Sequence, residues 1–305
     1  MRAIPVAILG GSGGAPALLP ASGAGLHPLA AYKGAALRVG GRPLIEHLVE
    51  RLGAVEGFGP VTVVGPGRIY GPLGLAAEVL DSDGSVASNL RAAIELCAPD
   101  GGSLAVLACD VLPTGAELGQ LRRLYERAPC RFWLPFVRKP ADPDQLGVFA
   151  WKPSYRMLRA PGEEPVDILP GHLCIFEPAT LRLPLLFRLM DAAYRTRNRP
   201  LSTRLVALLS RALLGLLAID LGLLVRLRAP TRTGSSVSNG LRLAAKVRAG
   251  RLEVDELRRI IATIFLRERL RDLSLDECIG FPIVDVLSLA EDVDTEEEAR
   301  ALEGG

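Results

Sequence analysis

IPVAILGGSGGAP, residues 4–16, decides how the rest of the chain is read. An apolar run, residues 5–9, ends abruptly in four glycines interrupted by one serine, Gly10, Gly11, Ser12, Gly13 and Gly14. The run is too short for a buried helix and lacks polar alternation, so it predicts a strand covered on both faces. Glycines at its carboxyl end leave the backbone bare, so amide N–H groups can approach a phosphate closely. No Gly-Lys-Ser/Thr closes the loop, which rules out a P-loop. The dinucleotide pattern G-x-G-x-x-G also fails. Counting from Gly11, Gly13 fits, but Pro16 stands at the third glycine, and Pro20, Gly23, Gly25 and Pro28 keep the following segment irregular.

Outward from this stretch, short apolar runs alternate with helical periodicity. Strands are expected at 61–64, 104–109, 132–137 and 172–176, and helices at 43–52, 85–97 and 116–127. Unalternated strands separated by helices imply an α/β fold with a mostly parallel sheet covered on both faces. Ligands in such sheets bind outside the carboxyl ends of the strands. The glycine loop after Leu9 and Asp110 after SLAVLAC both fall there, so one crevice can hold both. Residues 140–170 read as loops with one hairpin. Residues 181–227 are helical and strongly apolar, 229–240 a polar linker, 254–270 helical, and the tail a strand, an acidic turn and a last helix. The chain reads as one domain, 1–305, with 181–271 as a helical elaboration near the carboxyl end.

Composition narrows the functional classes. At 305 residues and 49% apolar the chain can bury a substantial core. A net charge of +2 gives no reason to expect nucleic acid as a partner. Five cysteines without C-x-x-C spacing argue against a zinc site or a disulfide framework; most sit in apolar runs and read as small core residues, which suits a cytoplasmic protein. Within 201–227 the longest uncharged run is eight residues, against roughly 20 for a membrane span. A membrane-surface helix there is the weaker alternative. The apolar helices after 181 offer a surface on which a homodimer could form.

AYKGAALRVGGRPLIEHLVERL, residues 31–52, resembles the signature of sugar-phosphate nucleotidyltransferases, and more closely that of the MobA-like NTP transferases. GSVASNLRAAIE (84–95), LAVLACDVLPT (104–114) and EDVDTEEEARAL (291–302) resemble three further family stretches in the family's order and spacing. The resemblance implies a GT-A-like, Rossmann-like nucleotidyltransferase fold, a mixed and mostly parallel sheet flanked by helices. It also implies a nucleotidyl group passed from an NTP to a phosphorylated or other anionic small-molecule acceptor, with Mg²⁺ as cofactor and pyrophosphate released. It implies catalytic roles for Lys33 and Asp110, nucleotide contacts from Leu9, Gly10, Gly11, Ser12, Gly13, Gly14 and Asn89, and metal ligation by Asp110 and Asp294. Two departures accompany it. Ala15 and Pro16 stand where the family carries an arginine or lysine, and Lys33 lies eight residues before Gly41 rather than seven.

Other readings of the same residues stay open. D-T-E-E at 294–297 also has the form of a helix cap with acids in the first turn, and Asn89 could pack or cap a helix rather than touch a nucleotide. His27, His47 and His172 show no metal spacing; His47 reads as structural, a substrate contact by His172 is the lesser of its two readings, and Arg195, Arg197 and Arg199 read as a solvated face. A catalytically silent nucleotide-binding or regulatory homologue is the first alternative to the transferase. An NDP-sugar glycosyltransferase is the second, although Val111 and Leu112 after Asp110 do not give it the D-x-D it needs at that strand end.

Overall fold

The computed structural model describes residues 3–11, 18–21, 25–28, 32–142, 144–146, 154–195, 242–243, 245–246, 249–267, 270 and 273–303. In chain order the strands are β1 (Ile4–Leu9), β2 (Leu18–Ala21), β3 (Gly25–Pro28), β4 (Arg38–Val39), β5 (Arg42–Pro43), β6 (Phe58–Gly65), β7 (Glu78–Asp81) and β8 (Leu104–Ala108). They continue with β9 (Phe132–Trp133), β10 (Phe136–Arg138), β11 (Tyr155–Leu158), β12 (Val166–Pro170), β13 (Leu173–Phe176), β14 (Leu252–Glu253), β15 (Ile279–Gly280) and β16 (Ile283–Val284). The helices are α1 (Lys33–Ala36), α2 (Leu44–Gly53), α3 (Gly67–Tyr70), α4 (Val86–Cys97), α5 (Gly115–Arg127), α6 (Leu183–Arg195), α7 (Val254–Phe265), α8 (Leu275–Cys278) and α9 (Glu296–Ala301).

The main sheet runs β15-β9-β13-β8-β1-β6-β7. β1 lies at its heart, parallel to β6 on one side and β8 on the other, with β7 parallel to β6 beyond. β13 enters antiparallel between β8 and β9, which makes the sheet mixed. Both faces are covered, and β1 shows how. Val6 and Ile8 join a core with Leu44, Leu48, Leu52, Leu118 and Leu121 of α2 and α5, whereas Ala7 faces a second core with Leu90, Ala93 and Ile94 of α4. An apolar residue is therefore wanted at every position, which accounts for the missing alternation. Pro5, which cannot donate to a ladder, sits where the β1–β6 register shifts.

Helix starts follow local chemistry. Ser85 caps α4 by accepting the Ser88 amide at 3.2 Å. Thr114 and Glu117 form a capping box at α5, as do Ser274 and Glu277 at α8 and Thr295 and Glu298 at α9. A second sheet, β14-β11-β12-β10-β16, contains the hairpin expected within 140–170, with Tyr155 opposite Ile168.

Several boundaries differ from the sequence reading. The strand expected at 132–137 is two strands in different sheets, broken at Pro135, whose carbonyl accepts the Gly171 amide at 3.2 Å. α7 stops at Phe265 because Leu266 turns extended to bridge Leu181. β2 and β3 pair within the stretch expected to be irregular, and β7 adds an edge strand that the apolar pattern does not announce. The linker at 229–240 and the whole of the apolar stretch at 201–227 lie outside the described residues.

Cys109, Cys130 and Cys278 take core places, while Cys97 and Cys174 are half-buried. Burial pushes the Cys109 thiol up to about 12, reinforced by the Asp110 carboxylate, and the Cys130 thiol up to about 11. At pH 8 their thiolate fractions are then about 10⁻⁴ and 10⁻³, too small for useful nucleophilicity. Cys109 and Cys130 should stay unmodified when native protein meets iodoacetamide at pH 8, and react once it is unfolded in guanidinium. Peptide mass mapping reads the result, and rapid native labelling of either would contradict this packing.

Candidate active site at the carboxyl edge of the sheet

Four strand ends meet at one edge. β8 ends in Ala108, buried Cys109 follows, and Asp110 stands just beyond the sheet before the chain turns into α5. The acidic tail is fastened to this point: the Val293 amide donates to the Asp110 carbonyl at 2.6 Å. Nearby the His172 amide donates to Leu289 O at 3.1 Å, while His172 O accepts from Ala108 N. Residues 291–302 are thus carried back across the chain to the end of β8. Thr295, not an aspartate, caps α9, which leaves the Asp294 carboxylate to face the site while its amide donates to Glu298 Oε2 at 2.6 Å.

Lys33, the first residue of α1, joins the two acidic elements. Its Nζ lies 2.7 Å from Asp110 Oδ2 and also pairs with Asp294 Oδ1. All three side chains are largely shielded, at 21%, 15% and 5% exposure. Burial pulls the ammonium toward losing its proton, but the two carboxylates outweigh it and hold Lys33 above the ordinary lysine range. One carboxylate oxygen from each of Asp110, Asp292 and Asp294 lies within 4.8 Å of the others. An all-oxygen donor set of this kind suits a hard divalent cation such as Mg²⁺, which takes one or two carboxylates beside phosphate oxygens and water. His172 Nδ1 stands 4.0 Å from Asp110 Oδ1. A fourth carboxyl, Glu291, is pushed up to about 7 by burial and then by Glu117.

The end of β1 is built as closely. The Gly10 amide donates to Val64 O at 2.8 Å, and the Tyr70 hydroxyl donates to Gly10 O at 2.6 Å. Burial raises the Tyr70 phenol, so it remains a donor. A methyl at Gly10 would lie 2.7 Å from the Tyr70 ring, inside van der Waals contact. Asn89 is buried in α4, where Oδ1 accepts from Ser82 Oγ at 2.8 Å and Gly84 N at 3.1 Å, and its amide lies where a side chain on Gly11 would go. Gly10, Gly11 and Asn89 therefore converge beside the end of β1, while Lys33, Asp110 and Asp294 converge at the end of β8.

Beyond β6 and β7 stands a cluster that sequence reasoning does not single out. Tyr32 Oη donates to Asp83 Oδ2 at 2.9 Å, and Arg68 Nη2 donates to Tyr32 Oη and to Asp83 Oδ2, each at 2.8 Å. Its signal is positional: Arg68 comes three residues after the end of the apolar strand VTVVG, and Asp83 closes a D-x-D that starts at Asp81, the last residue of β7. His47 is structural as expected, with Nε2 2.9 Å from Val39 O. Ser12, Gly13, Gly14, Arg197 and Arg199 lie outside the described residues.

The sheet is that of a Rossmann-like α/β protein, mixed and mostly parallel, with a carboxylate cluster at its carboxyl edge. The MobA-like NTP transferase domain family matches residues 32–212, more than half of the chain, and the chain belongs to that family. No curated sequence matches it. Among solved structures, a CMP:2-keto-3-deoxy-manno-octonic acid synthetase complexed with CTP is similar at 14% identity and a TM-score of 0.43, over 68% of this chain and 86% of that one. A 4-diphosphocytidyl-2C-methyl-D-erythritol synthase from Anaerococcus prevotii is similar at 11% identity and a TM-score of 0.36, over 66% of this chain and 78% of that one. Among the described residues no helix is long and apolar enough to cross a membrane.

Proposed function

We propose that the protein transfers a nucleotidyl group from an NTP to a phosphorylated or other anionic small-molecule acceptor, releasing pyrophosphate, with Mg²⁺ held by Asp110 and Asp294. The 1–305 chain acts as one unit in this reading, with 181–271 as its elaboration. The observation that carries it is the carboxylate set Asp110, Asp292 and Asp294, gathered with Lys33 beside the bare end of β1. Nucleotidyl transfer is an in-line displacement at phosphorus, in which positioning and charge stabilisation carry most of the catalysis. Bound there, Mg²⁺ would neutralise phosphate charge as a Lewis acid. Gly10 and Gly11 add no side chain of their own to the crevice, and the space beside them is taken by Tyr70 and Asn89. Lys33 supplies a compact positive charge for phosphate oxygens.

A second reading has one observation in its favour. Lys33 already pairs with two of the carboxylates a metal would need, which suits a nucleotide-binding homologue without turnover. Thermal melts with ATP, CTP, GTP and UTP, with and without Mg²⁺, test both, because a ligand at 100 times its Kd raises stability by about 2.7 kcal/mol. The transferase reading expects stabilisation by one NTP that requires Mg²⁺, and pyrophosphate release when sugar phosphates are added as acceptors. Stabilisation without release for any acceptor favours the silent homologue. No stabilisation by any NTP removes both.

A further inference from the structure

We propose that Arg68, mounted on Tyr32 and Asp83, is a second phosphate-gripping cation of this crevice, on the wall opposite Lys33; the inference rests on the nucleotide reading above. Between Leu9 and Lys33 the sequence has no lysine or arginine, so the glycine loop brings no cation of its own. A polyphosphate laid along Gly10 and Gly11 must find positive charge on neighbouring strands. On the β8 side it meets Lys33. On the β6 side the chain leaves Gly65, where a methyl would lie 3.3 Å from the Gly10 carbonyl carbon, and reaches Arg68 three residues later. Two other arginines near these elements are committed elsewhere: Arg51 donates to Leu112 O and Pro113 O, and Arg91 stacks on Phe187.

Tyr32 marks the place as built. Its backbone is left-handed, φ 50° and ψ 53°, and it is the single non-glycine residue with positive φ among the described residues. An aromatic side chain rarely adopts that conformation, and such strain persists only where surroundings impose it. The twist sends consecutive residues to opposite walls, Tyr32 to Arg68 and Asp83, and Lys33 to Asp110 and Asp294. The Arg68 guanidinium carbon sits 5.4 Å from the Tyr32 ring centroid, within cation–π range. A solvent-facing ion pair contributes little to stability, and Arg68 is 60% exposed, so support of the fold alone does not account for the strain. Both Arg68 hydrogen bonds leave from Nη2, and the planar fork has further donors on Nε and Nη1 for phosphate oxygens.

Calorimetric titration of wild type, Arg68→Gln and Arg68→Lys decides the point. The probes are inorganic tripolyphosphate and the nucleoside, mono-, di- and triphosphate of the base that stabilises wild type. Loss of a charge-assisted contact should weaken tripolyphosphate and NTP binding by at least about tenfold in Arg68→Gln. Nucleoside affinity should stay as in wild type, and Arg68→Lys should recover part of the loss. Its exposure lets each variant melt as wild type does. Wild-type affinity for tripolyphosphate in Arg68→Gln, or an equal loss for the nucleoside, overturns the proposal alone. Failure of wild type itself to bind any nucleotide overturns the nucleotide reading and the proposal with it.

Discussion

Asp110→Asn is expected to lower NTP-dependent pyrophosphate release by about a thousandfold or more, since charge stabilisation by a bound metal is worth several kcal/mol and each 1.36 kcal/mol is tenfold in rate. Fold stability should change much less. Asp110, Asp292 and Asp294 place three formal negative charges beside the single Lys33 ammonium. Breaking a buried ion pair by removing one partner ordinarily costs about 3–5 kcal/mol, because the other charge is stranded. Here Lys33 retains Asp294, and neutralising Asp110 removes the repulsion it exerts on the other two carboxylates. The variant should therefore melt within a few degrees of wild type while losing the Mg²⁺-dependent part of its NTP stabilisation. Initial rates of pyrophosphate release and paired melts check both halves. Undiminished turnover would remove Asp110 from the metal, and a collapsed melt would make it a structural anchor.

The parts of this molecule governed by local pattern are legible in the amino-acid sequence. The glycines after VAIL and the aspartate after SLAVLAC lie at the ends of adjacent parallel strands, because doubly covered strands carry unbroken apolar runs and ligand sites follow their carboxyl ends. The juxtaposition of Lys33, Asp110 and Asp294 is implied only by family likeness, since partners 77 and 261 residues apart leave no periodicity to read. Other features lie beyond either route. The break at Pro135 depends on which sheet each half-strand joins. Tyr32 reads as any loop residue, because neither its left-handed backbone nor its contact with Arg68 is written in its neighbours. Asp294 is ambiguous between cap and ligand in the sequence, and it is the fold that gives the cap to Thr295.

Gly65→Ala should destabilise the protein by about 1–3 kcal/mol, the usual cost of forcing a group into a filled core. On backbone grounds alone the change ought to stabilise by about 0.4–1 kcal/mol, through a less flexible unfolded chain. Tyr70 reverses the sign. A methyl on Gly65 would overlap the Tyr70 ring, with Cδ2 at 2.7 Å, and the ring is fully buried with its hydroxyl tied to Gly10 O. It can yield only by giving up that hydrogen bond, which in turn releases the end of β1 where the nucleotide is proposed to lie. The variant should consequently lose NTP affinity at temperatures well below its melt. Tyr70→Leu removes the obstacle, so the two changes should couple: each destabilises alone, but Gly65→Ala should cost little in the Tyr70→Leu background. A double-mutant cycle in urea reads the coupling, expected at about 1–3 kcal/mol for residues in direct contact. Additive losses would mean that Gly65 is required for some reason other than the ring. A coupled loss would show that the bare backbone at the edge of the sheet is held in place by the phenol packed beneath it.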